Sequence, residues 1–204
     1  MPFEPSVEHE AQARAQGVGD LIPPKRIQPG FVVIGLCGEM GSGKSTAADI
    51  LYRSYRYRRI SFAAPLKNML RVLGLGDREL YGDLKEVPSA KLNGKTPRHA
   101  MQTLGTEWGR ECLSPTFWTD MGIRSAIEAR ECGLPGVVFD DARFQTEADA
   151  IRSIGGRIIR LTGRSVASSG PKHASEKLDF EPDATVANTG SMADLERAIV
   201  RALA

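Results

Sequence analysis

Residues 38–45 read Gly-Glu-Met-Gly-Ser-Gly-Lys-Ser, and this octapeptide decides how the rest of the chain is interpreted. It fits the pattern G-x-x-x-x-G-K-[ST], in which backbone N–H groups surround the phosphates of a nucleotide. Its three glycines let the backbone approach a ligand without a Cβ atom in the way. Lys44 is predicted to reach the β- and γ-phosphates, and the hydroxyl of Ser45 is predicted to bind Mg²⁺.

The segments on both sides of this loop support a nucleotide site. Phe31 to Cys37 is a short apolar run typical of a buried parallel strand, and Thr46 to Tyr55 carries helix-spaced apolar residues without a helix breaker. Strand, glycine-rich loop and helix therefore follow one another in the order that a phosphate-binding loop requires. The predicted nucleotide contacts are Gly38, Met40, Gly41, Ser42, Gly43, Lys44, Ser45 and Thr46.

Composition restricts the possible classes of protein. The 204 residues, 41% of them hydrophobic, suffice for one core. Lys and Arg number 27 against 25 Asp and Glu, a balance that does not suggest a surface coating nucleic acid. The three scattered cysteines indicate neither a disulfide framework nor a zinc site. With no visible secretory signal and no apolar run approaching ~18 residues, we expect a cytoplasmic protein without a membrane span.

The first 30 residues differ from the rest of the chain. They are polar and contain five prolines, so we expect a flexible extension, with a partner-binding tail as the alternative. Residues 31–204 are expected to form a single domain.

A second strand is predicted at Arg58 to Phe62, followed by a helix in which Pro65 occupies the first turn. Lys67 then lies just past the carboxyl end of that strand, the edge at which ligands bind in open α/β sheets. A binding role and a solvated lysine on the helix surface are both compatible with this position.

A longer helix is predicted from Thr96, a favourable N-cap that precedes proline, to about Cys112. Helical spacing predicts an apolar face made of Met101, Leu104, Trp108 and Cys112. It also predicts a neighbouring polar ladder made of Arg98, Gln102, Thr106 and Arg110. Such a ladder suits a ligand with a phosphate at one end and a hydrogen-bonding base at the other, although a plain surface stripe has the same spacing.

Two glycines, Gly105 and Gly109, interrupt this helical pattern. Each costs roughly 1 kcal/mol of helix stability relative to alanine. Their presence is explained if another group must approach the helix backbone closely.

A third strand, Val137 to Phe139, ends in Asp140 and Asp141. Acids at this place hold Mg²⁺ in phosphate-binding-loop proteins, and they are costly to bury without a cation or hydrogen-bond donors. The alternative is that Asp141 caps the following helix.

Arg143 lies near the start of that helix, where a cation opposes the helix dipole. This position suggests that Arg143 binds an anion. An Arg143–Glu147 pair within the helix is the alternative.

The remaining segments complete an α/β pattern. A fourth strand is predicted at Arg157 to Leu161 and a last strand at Ala184 to Ala187, before a final helix. Between them, a polar stretch of about 163–182 carries several cations, as a closing lid would. We therefore predict a fold of the P-loop NTPase type. It has three layers, with a central, mostly parallel sheet, helices on both faces, and a mobile lid.

Taken together, these residues resemble the bacteriophage-type deoxynucleoside monophosphate kinases of the P-loop kinase group. The resemblance extends from about residue 31 to the C-terminus. Besides the octapeptide, it rests on Ser61 to Lys67, Gly94 to Arg110, Asp140 to Phe144, His173 to Glu176, and Asn188 to Gly190.

The resemblance implies transfer of the ATP γ-phosphoryl group to the 5′-phosphate of a deoxynucleoside monophosphate. Lys44 and the loop amides would hold ATP, Asn188 would lie against adenine, and Mg²⁺ would be held by Ser45 with Asp140 or Asp141. The catalytic residues would be Lys44, Asp141, Arg143 and Arg164, the last belonging to the lid. The acceptor residues would be Lys67, Arg98, Gln102, Thr106, Trp108, Arg110 and Arg143, within a helical part at about 64–132.

The implied partner is a small-molecule substrate, with no nucleic acid and no membrane, in the host cytoplasm if the protein is encoded by a phage. Monomer and homodimer both remain open. The nearest alternatives are kinases of other phosphorylated metabolites, since Ser-Phe-Ala-x-Pro-Leu-Lys also appears in phosphomevalonate kinases, and dephospho-coenzyme A kinases belong to the same group. Gln102 favours a base as part of the acceptor. A nucleotide-dependent switch or ATPase is a further alternative from another class.

Overall fold

The computed structural model describes residues 30–163 and 178–203. Residues 1–29 of the predicted extension and residues 164–177 of the predicted lid, which include Arg164 and His173 to Glu176, lie outside the described residues. No helix in the described part combines the length and the apolar character needed to cross a membrane.

Five strands in the described residues form one parallel sheet. They are β1 (Val32–Cys37), β2 (Arg58–Ile60), β3 (Gly136–Phe139), β4 (Arg157–Thr162) and β5 (Ala184–Ala187), in the spatial order β2-β3-β1-β4-β5. Every pairing between them is parallel. The central β1 is buried at all six positions, which is why its sequence is apolar throughout rather than alternating.

Helices cover both faces of this sheet, as predicted, and further helices lie beside it. They are α1 (Lys44–Tyr55), α2 (Ala64–Val72), α3 (Asp77–Leu80), α4 (Pro97–Thr103), α5 (Phe117–Glu131), α6 (Gln145–Ser153) and α7 (Met192–Leu203). On one face, Ile34 and Leu36 of β1 pack with α1 and α7. On the other face, Val33 and Cys37 pack with α5 and α6. Alternate residues of one strand thus serve two cores, and the three-layer prediction is confirmed.

A third apolar cluster lies beside the sheet, in the region predicted to bind the acceptor. It consists of Leu66, Leu70, Leu75, Leu80, Met101 and Trp118. Two short 3₁₀ segments, Asp83–Glu86 and Ala90–Leu92, connect α3 to α4. This cluster fixes α2 and α4 next to each other, close to the carboxyl edge of the sheet.

The prediction for the helix after Thr96 is partly wrong. Its N-cap is confirmed, since the Thr96 hydroxyl accepts the His99 backbone N–H at 3.1 Å. After α4, however, the chain continues as a π-helix over Leu104–Leu113. A π-helix bonds residue i to i+5, so residues spaced for an α-helix do not share one face. The predicted apolar face is confirmed at Met101 and Leu104, which both pack in the third apolar cluster, and Trp108 lies at its edge with a ring centroid 6.0 Å from that of Trp118. The predicted face is wrong at Cys112, which is exposed.

The two glycines face the interior instead. Gly105 and Gly109 are buried against the indole of Trp118, whose Nε1 donates to the Gly105 carbonyl oxygen at 2.8 Å. A Cβ atom on Gly109 would lie 2.3 Å from that Nε1. The prediction that another group approaches the helix backbone here is confirmed.

Candidate active site

The phosphate-binding loop connects β1 to α1 and depends on its glycines. Gly38 and Gly43 have φ angles of +134° and +100°, which side-chain-bearing residues rarely adopt. A Cβ atom on Gly38 would lie 2.4 Å from the Leu161 carbonyl oxygen, and one on Gly43 would lie 2.1 Å from Nδ2 of Asn188. The loop can keep this shape only with glycine at both positions.

Asn188 lies against the loop, where it is buried. Its Nδ2 donates to the Ser42 carbonyl oxygen at 3.0 Å, which joins the end of β5 to the loop. The structure thus gives Asn188 a role in holding the loop. Its predicted contact with adenine stays a prediction.

Lys44 extends over the loop. Its ammonium donates to the carbonyl oxygens of Gly38 and Glu39, both at 2.8 Å. Burial lowers its pKa, and the nearby guanidinium of Arg143 lowers it further. A partly buried ammonium with a second cation close to it forms a site that favours an anion.

The residues of the loop fit a nucleotide polyphosphate. The Ser42 hydroxyl is buried and has no hydrogen-bond partner among the described residues. An orphaned buried hydroxyl is costly, and a ligand oxygen would satisfy it. Together with the glycine backbone and the Lys44 ammonium, it provides the donors that phosphate oxygens require. Ser45, at the start of α1, is exposed and accessible to a cation.

The two acids after β3 have different surroundings. Asp140 forms an ion pair with Arg59, whose guanidinium also binds Asp49 of α1. Burial raises the pKa of Asp140, and the hydrogen bond from Arg59 opposes that effect. Asp140 thus lies between the carboxyl edge of the sheet and the helix that follows the phosphate-binding loop.

Asp141 fastens β3 to the turn before α2. Its Oδ2 accepts the Ser61 hydroxyl at 2.6 Å and the Ala63 N–H at 3.1 Å, while its Oδ1 accepts the Phe62 N–H at 2.9 Å. The alternative that Asp141 caps the helix after it is therefore wrong. Its carboxylate accepts hydrogen bonds from the backbone N–H groups of Phe62 and Ala63 instead.

Two further cations stand beside the acids. Lys67 is half-buried, with Nζ 4.0 Å from the centroid of the Tyr81 ring, so it is not a solvated surface lysine. Burial lowers the pKa of Lys67, Asp141 and Asp140 raise it, and Arg143 lowers it. The structure thus brings Lys44, Lys67 and Arg143 together at the carboxyl edge of the sheet.

The predicted ladder does not form one continuous row. Arg98 pairs with Glu86 of the first 3₁₀ segment, with Nε 2.5 Å from Oε1. Arg110 extends to the opposite side, where its guanidinium lies over the Phe144 ring at 3.9 Å and binds Glu147. Both arginines are half-buried, as is Gln102, whereas Thr106 and Trp108 are exposed. The two arginines at the ends of the predicted ladder therefore have different partners, on different segments of the chain.

Sequence reasoning missed two charged residues in this region. Burial, with repulsion from Arg98, Lys67 and Arg143, lowers the pKa of Lys85 to about 8. Its segment reads as a polar loop, so charge was its only signal in the sequence.

Glu147 is the second residue whose role in the site was missed. The alternative of an Arg143–Glu147 side-chain pair is wrong, because the Glu147 carboxylate accepts the backbone N–H of Arg143 and pairs with the guanidinium of Arg110.

Comparison with known proteins decides the family. Residues 78–199 match the family model described as deoxynucleotide monophosphate kinase. The chain belongs to this family. A protein of Acanthamoeba polyphaga mimivirus named "Putative deoxynucleotide monophosphate kinase" is 36% identical over 160 residues, covering 72% of this chain and 81% of that protein. The predicted membership is thus confirmed, and the chain is a phosphotransferase of the deoxynucleotide kinase type.

Solved structures give weaker likenesses. TT1252 from Thermus thermophilus has a TM-score of 0.48 and 22% identity, covering 85% of this chain and 97% of that one. The APS kinase CysC Cys556Ala mutant from Mycobacterium tuberculosis has a TM-score of 0.46 and 12% identity, with coverage of 86% and 99%. At these scores neither likeness supports an argument, and the fold assignment rests on the strand order and the phosphate-binding loop. The family match begins after that loop, so the loop is independent evidence for a nucleotide-binding site.

Proposed function

We propose that this protein transfers the γ-phosphoryl group of Mg²⁺-ATP to the 5′-phosphate of a deoxynucleoside monophosphate. One observation carries the proposal: Lys44 of the phosphate-binding loop and Lys67 share the same charged neighbours, Arg143, Asp140 and Asp141, at the carboxyl edge of the sheet. A nucleotide-binding module alone has no need of these extra cations. A second phosphorylated substrate explains them, and the family supplies its class.

On the donor side, the loop amides and Lys44 would hold the phosphates of ATP. Mg²⁺ would be held by Ser45 and Asp140, because the carboxylate of Asp141 already accepts three donors from residues 61–63. When bound, Mg²⁺ would neutralise charge on the β- and γ-phosphate oxygens. Asp141 would act by fixing the turn that begins α2, and so would place Lys67.

On the acceptor side, the two phosphates would meet between Lys44 and Lys67. Arg143 would contact the transferring or the acceptor phosphate, and Arg98, Arg110 and Lys85 would bind the acceptor phosphate. The nucleoside part of the acceptor would be contacted by Gln102, Thr106 and Trp108. These cations would stabilise the charge of a loose, in-line transition state, so no covalent intermediate on the protein is needed.

The lid predicted at 163–182, with Arg164, stays part of the proposal. Its closure would exclude water that would otherwise hydrolyse ATP. A cytoplasmic location also remains proposed, and it fits three cysteines that all carry free thiols.

Arg98→Ala and Arg110→Ala test the acceptor side. Each removes a guanidinium from the proposed acceptor site, so the KM for the deoxynucleoside monophosphate should rise by about tenfold, the usual effect of losing a charged hydrogen bond. The KM for ATP should stay within about twofold. Steady-state kinetics with each substrate varied in turn measures both constants.

Arg130→Ala is the matched control, since Arg130 is an exposed arginine on α5. It should leave both KM values unchanged. If Arg98→Ala and Arg110→Ala also leave acceptor kinetics unchanged, these arginines do not bind the acceptor.

A further inference from the structure

We propose that Glu147 is a positioning residue: its carboxylate holds the guanidinium of Arg110 and the backbone of Arg143 in the arrangement that binds the acceptor phosphate. The inference rests on the proposed function above. Nothing in the family match assigns a role to Glu147.

The first argument is connectivity. Glu147 lies in the first turn of α6 and is only 3% exposed. Its Oε2 accepts the backbone N–H groups of Arg143 at 2.7 Å and Phe144 at 3.2 Å. Its Oε1 accepts NH2 of Arg110 at 3.1 Å. One carboxylate therefore joins the π-helix to the loop that carries Arg143.

The second argument is the orientation of Arg110. The Phe144 ring lies under the guanidinium at 3.9 Å and fixes its plane, while Glu147 fixes its rotation within that plane. A guanidinium has five N–H donors, so the bond to Glu147 occupies only part of it. A guanidinium held in plane and in rotation is suited to the bidentate recognition of a phosphate.

The third argument is the free-energy cost of burying the charged carboxylate. Burial raises the pKa of Glu147 to about 7, and the charge of Asp141 acts in the same direction. The two backbone N–H groups and Arg110 oppose the rise without cancelling it. Capping the helix does not require this charge, because glutamine serves at the same position of a capping box. What a carboxylate adds over glutamine is the bond to Arg110.

Glu147→Gln separates the two roles. The glutamine oxygen can still accept the backbone N–H groups of residues 143 and 144, but its amide group can no longer pair with the Arg110 cation. We expect the KM for the deoxynucleoside monophosphate to rise about tenfold, and the KM for ATP to stay within about twofold. Asp149→Asn, an exposed acid on the same helix, should change neither constant.

A double-variant cycle shows whether Glu147 acts through Arg110. If it does, Glu147→Gln combined with Arg110→Ala should bind the acceptor no more weakly than Arg110→Ala alone. If the double variant instead shows the product of the two single-variant increases in acceptor KM, Glu147 acts independently of Arg110 and the proposal is wrong.

Thermal melting excludes a folding defect. The folded pKa of about 7 lies above the ordinary value of 4.5, so between these values the folded state holds a proton that the unfolded state has lost. The stability that this proton contributes is fully present below about pH 4.5 and is lost as the pH rises through about 7. Glutamine does not titrate, so its contribution to stability does not change over that pH range. At pH 8 Glu147→Gln should therefore melt no lower than the wild type.

The outcomes separate this inference from the function on which it rests. If the wild type phosphorylates deoxynucleoside monophosphates and Glu147→Gln has an unchanged acceptor KM, only the positioning role is wrong. If the variant melts well below the wild type at pH 8, the carboxylate is structural and the inference is also wrong. If the wild type neither binds nor phosphorylates any deoxynucleoside monophosphate, the proposed function and this inference both fail.

Discussion

Lys44→Ala is expected to lower kcat by about a hundred- to a thousandfold while the protein stays folded. Lys44 is the cation that the phosphate-binding loop itself carries, and a preorganised donor facing developing charge has an effect of about this size. In the described structure its ammonium donates to the carbonyl oxygens of Gly38 and Glu39, which belong to the loop and not to the core. Its loss should therefore affect phosphoryl transfer far more than stability.

The measurement is single-turnover phosphoryl transfer at saturating ATP and acceptor, together with a thermal melt. Arg53→Ala is the matched control, because Arg53 is an exposed cation in the last turn of the same helix. It should retain full activity. A Lys44→Ala protein with a rate within about fivefold of the wild type would show that this loop does not hold the reacting phosphates.

Gly109→Ala is expected to destabilise the protein strongly. Its Cβ atom would lie 2.3, 2.5 and 2.7 Å from three atoms of the Trp118 indole. Trp118 is 2% exposed, belongs to the third apolar cluster and is held by its bond to the Gly105 carbonyl oxygen, so it has little room to move. Overpacking of this kind costs about 1–3 kcal/mol, which lowers Tm by several degrees in a domain of this size.

Gly105→Ala is a control within the same π-helix. Its Cβ atom would meet only Cδ2 of Leu66 at 3.5 Å, an ordinary contact. Both changes gain a similar helix propensity of about 1 kcal/mol, so the difference between the two variants isolates the clash with Trp118. Differential scanning calorimetry of the pair measures it. Equal melting temperatures would mean that Trp118 does not pack against Gly109 as described.

The fold could be predicted from the sequence where local pattern decides structure. The loop at 38–45 lies between an apolar strand and a helix, and continuous apolar runs such as Val137 to Phe139 indicate buried parallel strands. The edge at which Lys67 and Asp140 meet followed from the rule that ligands bind at the carboxyl ends of such strands. These features depend on residues close together in the chain.

The rest of the site depends on contacts between distant residues. The predicted apolar face was wrong at Cys112 because an α-helical period was assumed where the chain forms a π-helix, and that geometry accompanies the packing of Trp118 from a later helix. Asp141 reaches back 78 to 80 residues to the turn before α2. Arg110 and Glu147 are 37 residues apart. Spacing in one sequence does not encode such partners.

Lys85 is a site residue that the sequence pattern could not identify. In the sequence it is one charge among several in a polar segment. In the structure the cluster around Leu80 and Met101 brings that segment to the cations of the site, and their repulsion lowers the pKa of Lys85. Only tertiary packing made it a candidate.

The central claim is that the acceptor is a deoxynucleoside monophosphate, and ADP release measures this directly. The assay uses Mg²⁺-ATP with each of the four deoxynucleoside monophosphates, with the ribonucleotides, and with no acceptor. We predict strong stimulation by one or more deoxynucleotides and little turnover without an acceptor. Turnover that no acceptor changes would contradict the claim and indicate an ATPase or a switch. ATP binding without turnover on any nucleotide would also contradict it, and would point to a phosphorylated isoprenoid or coenzyme precursor as the acceptor.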